Sequence, residues 1–178
     1  KLNSLDDIYY DLRQKIKILD INSSNINRAE QLFNKTNQFN FTTNRYNKNQ
    51  LINIKNKPFT TIKLLSLSDK FGEHGIIGSF IYIHQKNCII VSDFLLSCRI
   101  LSRKIEEYII YLIQKKNKNK EVYLRHVKTD KNKELIKIFL ENNSFQKVSK
   151  KMMDKVKFKG ELYKVLLNKK LINVKKFF

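Results

Sequence analysis

The sequence predicts an α+β domain with a mostly antiparallel central sheet flanked by helices. Glycine (4) and proline (1) are scarce, which favours long regular elements over tight turns. Short apolar stretches between Phe59 and Leu96 have the length and pattern of consecutive strands. The element order is helices, three meander strands, helix, strand, helix and two strands, and that order gives the α+β class.

Ser4 can cap a first helix with apolar positions at Leu5, Ile8, Leu12 and Ile16. Asn25 opens a second, with Ile26, Ala29, Leu32 and Phe33 on one side. Residues 34–46 are dense in amides and hydroxyls, with three aromatics between them. Phe59 to Ser68 and Ile76 to Ile83 read as strands. Between them, Gly72 and Gly75 suit a tight turn with positive φ. Gln85 to Asn87 turn the chain into a nearly continuous apolar strand, Cys88 to Leu96, as expected of a strand covered on both faces. A basic turn, Ser97 to Lys104, leads to a helix with Ile105, Ile109 and Leu112 on one face. Glu106 and Glu107 lie in its first turn, where the helix dipole favours acids. Gln114 to Lys120 is a solvated loop and Glu121 to Val127 a strand; Asp130 begins a helix with Leu135, Ile138 and Phe139. Phe145 to Met153 and Gly160 to Leu167 fit a closing hairpin. A cleft is expected where the Cys88 and Glu121 strands diverge around the basic turn.

A length of 178 residues with 42% hydrophobic composition fits one globular domain with a real core. Residues 25–168 form that domain. Residues 1–24 read as a helix and linker from a missing upstream domain, and residues 169–178 as a basic tail. The start at Lys1 fits a chain cut from something longer. No apolar run approaches the ~18 residues that span a bilayer, and no signal peptide pattern opens the chain, so no membrane partner is expected. Cys88 and Cys98 fall at opposite ends of one strand, roughly 33 Å apart at the strand rise. That distance rules out a disulfide and suits a reducing cytoplasm. The net charge is +20, from 36 basic against 16 acidic residues. Lysine accompanies asparagine and isoleucine, as AT-rich codons dictate, and it is spread along the chain rather than gathered on one helix. Nucleic acid is therefore disfavoured, and an acidic macromolecular partner is expected.

Several residues carry candidate chemistry. Arg99, Arg103 and Lys104 converge on the amides of a helix N-terminus, which makes either an anion site or an ordinary connection with solvated cations. Residues 34–46 form either a polar loop pinned by Phe39 and Phe41, or a binding loop offering Asn37, Gln38, Asn40 and Thr42. His74 is either an exposed turn histidine or a base. Cys98, beside Arg99 and before a helix, has the surroundings of a nucleophilic thiolate, or is an inert strand-end thiol.

The element order and the cationic turn after the central strand are similar to the GNAT acyltransferase fold. The pyrophosphate loop of that family is an R-x-x-G-x-G pattern, placed as Arg99-Ile-Leu-Ser-Arg-Lys104 is here. Ser102 and Lys104 stand where the pattern has glycine, whose bare backbone lets a phosphate approach closely. A further resemblance, over residues 28 to about 148, is to the FkbH-like proteins. Lys35 to Tyr46 resembles their K-T-N-Q-F-N-x-T-T-x-R-Y signature, and Asp69 to Gly78 their D-R-F-G-x-x-G-x-x-G segment. Ser97 to Arg103 resembles S-C-R-V-L-G-R, and Thr129 to Asn132 resembles T-x-K-N.

Those proteins pair a haloacid-dehalogenase-type domain with a GNAT-like domain and deliver a glyceryl unit as a thioester to an acyl carrier protein. The dehalogenase-type D-x-D motif is missing from this chain, so the resemblance is to the C-terminal half alone. It implies an acyltransferase domain whose cofactor is a phosphopantetheine thioester on a carrier protein, or coenzyme A, with no metal. The implied partners are an acidic acyl carrier protein and an upstream dehalogenase-type domain, in cis or in trans. Implied catalytic residues are Cys98 and Asp69, the latter orienting a donor or acting as base, or else merely capping its turn. Ser97, Arg99, Ile100, Leu101, Ser102, Arg103 and Lys104 would hold the phosphopantetheine. Asn37, Gln38, Phe39, Asn40, Thr42, Arg45, Phe71, Gly72, His74 and Asn132 would face the acyl group. The alternatives are a coenzyme A-dependent N-acyltransferase and, third, a basic nucleic-acid-binding protein.

Overall fold

The computed structural model describes residues 4–143, 145–149, 159–166 and 169–178. In chain order the elements are α1 (Leu5–Asp11), β1 (Lys15–Asp20), α2 (Ile26–Lys35), α3 (Lys48–Asn56), β2 (Thr60–Asp69), β3 (Gly72–His84) and β4 (Cys88–Leu96). They continue with a 3-10 turn (Cys98–Ile100), α4 (Ile105–Lys116), β5 (Glu121–His126), α5 (Lys133–Asn142), β6 (Phe145–Lys147) and β7 (Glu161–Val165). A last helix, α6 (Lys169–Asn173), runs into a second 3-10 turn (Val174–Phe177).

The strands form one sheet in the order β1-β2-β3-β4-β5-β7-β6. Every pairing is antiparallel except β4 with β5. From Ile89 to Leu96 every residue of β4 is buried, because helices cover both faces of the sheet. On one face Val91, Phe94 and Leu96 pack with Ile105, Ile109 and Ile113 of α4 and with Ile136 and Phe139 of α5. On the other, Leu95 and Ile81 pack with Ala29, Leu32 and Phe33 of α2 and Leu51 of α3. The pleat sends alternate residues to opposite cores. Glycine is required at Gly78, where an added Cβ would stand 2.5 Å from Leu96 Cδ2 and 2.7 Å from the Leu95 carbonyl.

The sequence expectation for β2, β4 and α2 matches these elements closely. β3 begins at Gly72 rather than Ile76, so Gly75 stands in the strand opposite Leu67 and the turn shrinks to Lys70 and Phe71, and α4 runs on to Lys116, into the stretch expected as a solvated loop. Other stretches differ. Ser4 does cap α1, accepting from the Asp7 amide at 3.2 Å, but the helix stops at Asp11 and Ile16 lies in the edge strand β1. Lys15 and Lys17 make that edge polar, which guards it against pairing with other chains. Helix α3, absent from the sequence reading, is fixed by a capping box between Asn47 and Gln50. Helix α5 begins at Lys133 rather than Asp130, because Asn132 is committed to the turn, accepting from the Thr129 amide. β6 spans only three residues; Met153 and Leu167 lie outside the described residues. Residues 169–178 are folded onto the domain: Leu171, Val174 and Phe177 are buried. Phe177 meets Tyr9 edge to face at 5.6 Å, and Phe178 stacks on Tyr108 at 4.1 Å.

Candidate functional site

β4 and β5 pair only from Cys88↔Glu121 to Val91↔Leu124. Beyond that point they diverge, and the expected cleft does open, but the chain fills it with its own segment Phe39–Phe41. The Phe41 amide donates to the Phe94 carbonyl at 2.9 Å, and the Leu96 amide donates to the Phe39 carbonyl at 3.0 Å. On the β5 side the Val127 amide donates to the Phe41 carbonyl at 2.8 Å. Asn132 Nδ2 donates to the Asn40 carbonyl at 2.8 Å and to the Val127 carbonyl at 3.0 Å. Phe39 and Phe41 seal the insertion by edge contacts with Phe139 and close packing on Phe94.

In front of this insertion lies a groove of about 870 Å³, between the end of α2 and the corner after β4. Its buried floor is Leu32, Phe39 and Leu96, and its rim carries Asn37, Gln38, His74, Cys98 and Arg99. Arg28 and Lys35 add two more cations, and among the described residues no aspartate or glutamate lines it. Arg28 Nε is anchored on the Ile76 carbonyl at 3.1 Å. Burial, and then the neighbouring Arg99, hold its guanidinium below its ordinary value. An apolar floor under a cationic, amide-bearing rim suits a ligand with an apolar end and an anionic end.

His74 is held by Asp69, whose side chain has no exposed surface. Asp69 Oδ2 accepts from His74 Nε2 at 2.7 Å and from Arg103 Nη1 at 2.8 Å, and Oδ1 accepts from the Phe71 amide at 2.8 Å. Burial raises the Asp69 carboxyl, but these donors outweigh it and leave it below the usual carboxylate range. In its neutral form His74 meets the Asp69 carboxylate through Nε2–H and has Nδ1 as its acceptor.

The structure brings Asn37, Gln38, Phe39, His74, Ser97, Cys98 and Arg99 to one groove. It turns other sequence candidates inward. Asn40 is buried, donating to the Thr36 carbonyl and accepting from the Thr42 and Thr43 amides. Thr42 donates to the buried Asp93, which also takes Asn44, Ser92 and Tyr46. Arg45 caps α2 through the Phe33 and Thr36 carbonyls and steadies Asn37. Asn132 is the tie described above. Phe71 and Gly72 sit at an exposed hairpin tip, and Ile100 belongs to the core. Cys98 is exposed in its own 3-10 turn, and α4 begins only at Ile105, so the thiol is not at that helix's N-terminus. The two cysteines are free, as expected. Sequence reasoning missed Arg28 and Lys35; both lie on α2 seven residues apart, a spacing of two helical turns that puts them on one face.

No protein-family model and no curated protein matches the sequence. Solved structures do match. A GNAT-family acetyltransferase from Staphylococcus aureus Mu50 superimposes with a TM-score of 0.59 at 17% identity, over 86% of this chain and 100% of that one. The fold is the GNAT acetyltransferase fold. A domain from Methanocaldococcus jannaschii has a TM-score of 0.60 at 13% identity, over 86% of this chain and 99% of its own. The PaiA N-acetyltransferase of Thermoplasma acidophilum, in complex with coenzyme A, has 0.58 at 13%, over 86% and 99%.

A GNAT fold raises the question of where a phosphate would sit. At the N-terminus of α4 one amide and two side-chain cations already have partners. The Ser102 amide donates to Glu106 Oε1 at 3.2 Å, Arg103 pairs with Asp69, and Lys104 Nζ lies 3.6 Å from Glu107. Ser102 and Lys104 nevertheless have φ of 63° and 65°. The turn thus keeps the left-handed shape glycine favours while presenting side chains outward. At that corner the side-chain cations are paired with carboxylates, whereas the groove presents Arg28, Lys35 and Arg99 along one lining. Among the described residues no His/Cys/Asp/Glu cluster could hold a metal ion, and no helix is long and apolar enough to cross a membrane.

Proposed function

We propose that this chain is an acyltransferase domain that moves a short acyl group from a coenzyme A thioester to an acceptor in the groove. The observation that supports it is the groove itself: an apolar floor, three cations and, among the described residues, no carboxylate, beside a histidine braced by a buried aspartate on a GNAT fold. Arg28, Lys35 and Arg99 hold the phosphates, Asn37 and Gln38 meet polar atoms of the acyl group, and Leu32, Phe39 and Leu96 take its apolar part. His74 Nδ1 accepts the proton that the acceptor loses as it attacks the thioester carbonyl, the C–S bond breaks, and coenzyme A leaves as the thiol after taking that proton back; Asp69 keeps the ring in the required tautomer. Cys98 is the alternative first acceptor, in which case the acyl group passes through a cysteine thioester.

A second reading, in which the thioester is borne by a carrier protein, is favoured by Ser102 and Lys104 at the glycine positions and by the four FkbH-like motifs. Under it an acidic carrier and a dehalogenase-type domain are the partners, and the cytoplasm is the compartment.

Calorimetric titration with coenzyme A, a holo-carrier protein and a DNA duplex tests both. Saturable binding of either thiol carrier, weakened about tenfold or more by Arg99→Ala, is expected; binding of DNA alone would sink both readings. With small amines and the holo-carrier as acceptors, His74→Gln is expected to slow acyl transfer by roughly 10²-fold or more while binding persists. An unimpaired H74Q variant would remove histidine from the reaction.

A further inference from the structure

Phe39 lines two separate spaces. On one side is the groove floor beside Leu96 and Cys98. On the other is a pocket of about 190 Å³ at the N-terminus of α4, reached past Leu101, Ser102 and Glu106 and walled by Phe139. Phe39 is nearly inaccessible and its backbone is bonded to β4, so it is a fixed part of the wall of both spaces.

We propose that Phe39 limits the length of the transferred acyl group. This rests on the acyl-transfer reading of the groove. A donor anchored at Arg28, Lys35 and Arg99 lays its acyl end on Leu32, Leu96 and the face of Phe39. Methylenes beyond a short chain meet the ring instead of the mixed space behind it, where Leu101, Leu135, Ile138 and Phe139 form an apolar wall and Lys104, Glu106 and Glu107 a charged one. Removing the ring joins the two spaces and gives a longer chain a path along that apolar wall. Each newly buried methylene then strengthens binding severalfold.

The test uses the full chain carrying Phe39→Ala, Phe39→Leu or Phe139→Leu, with folding checked by circular dichroism. Affinities for acetyl- and octanoyl-coenzyme A are measured by calorimetry, with free coenzyme A as baseline. Wild type is expected to prefer the acetyl thioester. F39L, and F39A if it folds, shift the octanoyl-to-acetyl affinity ratio by about tenfold or more. F139L enlarges only the rear pocket and leaves the ratio unchanged. A ratio unmoved in folded F39L, or moved equally by F139L, overturns the proposal while leaving acyl transfer intact. A wild type that already binds octanoyl as tightly as acetyl overturns it too. A wild type that binds no thioester of either length overturns the acyl-transfer reading and the length limit together.

Discussion

Glu106 couples the α4 corner to pH. Burial, with Glu107 beside it, pushes its carboxyl up from 4.5 to about 7. Between those values the folded chain holds a proton that the unfolded chain has lost, so stability falls as pH rises through that window. At and above neutral pH the penalty reaches at most about 3 kcal/mol. Glu106→Gln abolishes the titration and keeps an acceptor for the Ser102 amide. Urea unfolding is expected to show E106Q more stable than wild type by about 1–3 kcal/mol at pH 8, and nearly equal to it at pH 5; identical differences at both values would contradict the buried-acid account. Asp69 has the opposite sign. Its depressed pKa means that its hydrogen bonds stabilise the chain near neutrality and fail as acid protonates it. The pairing of Asp69 with His74 was within reach of the sequence, since they flank one predicted turn. Arg103, thirty-four positions on, gave no such hint. It stands in a basic run, where a cation poised for phosphate and a cation paired with a distant acid look alike.

Among the elements, the three-residue insertion Phe39–Phe41 has the most structural consequence, and Asn132 is its clasp. One amide group, itself fully buried, donates to the buried Asn40 carbonyl and the part-buried Val127 carbonyl and accepts from the part-buried Thr129 amide. Asn132→Ala strands one buried and two part-buried backbone groups, so denaturant unfolding is expected to show a loss of roughly 1–3 kcal/mol. A loss under about 0.5 kcal/mol would mean that water replaces the side chain without cost. Sequence reasoning saw the polar loop and its pinning aromatics but not the insertion, because three residues are too few to display a strand's period of two. β2 to β4 were legible because burial on both faces leaves long apolar runs. β1 was not: Ile16 continues the helical spacing of Leu5, Ile8 and Leu12, and only pairing with β2 makes the stretch a strand. The C-terminal segment reads as basic because its four lysines are interleaved with the side chains that anchor it, Leu171, Val174, Phe177 and Phe178. The groove was half legible. Its loop and corner were both marked, whereas the α2 cations that complete it, part-buried Arg28 and exposed Lys35, share a helix face but do not stand out in a chain rich in basic residues.

At the scale of the whole molecule, +20 of net charge on 178 residues sets two effects of salt against each other. Like charges repel within the compact state, so screening stabilises the fold. The same screening weakens any anionic ligand, and more so the more charge pairs the ligand engages. Under the coenzyme A reading the ligand would meet only the groove cations, whereas under the carrier reading an acidic protein would also cover basic surface beyond them. Between about 50 mM and 500 mM sodium chloride the thermal midpoint is therefore expected to rise. Over the same range affinity for coenzyme A falls only a few-fold and affinity for a carrier protein falls more than about tenfold. Melting by circular dichroism and titration calorimetry read these trends separately. A midpoint that drops with added salt would show that ion pairs such as Lys63–Asp20 and Lys176–Asp6 outweigh self-repulsion. Equal salt slopes for the two ligands would place all of the recognition inside the groove and leave the basic surface without a part in it.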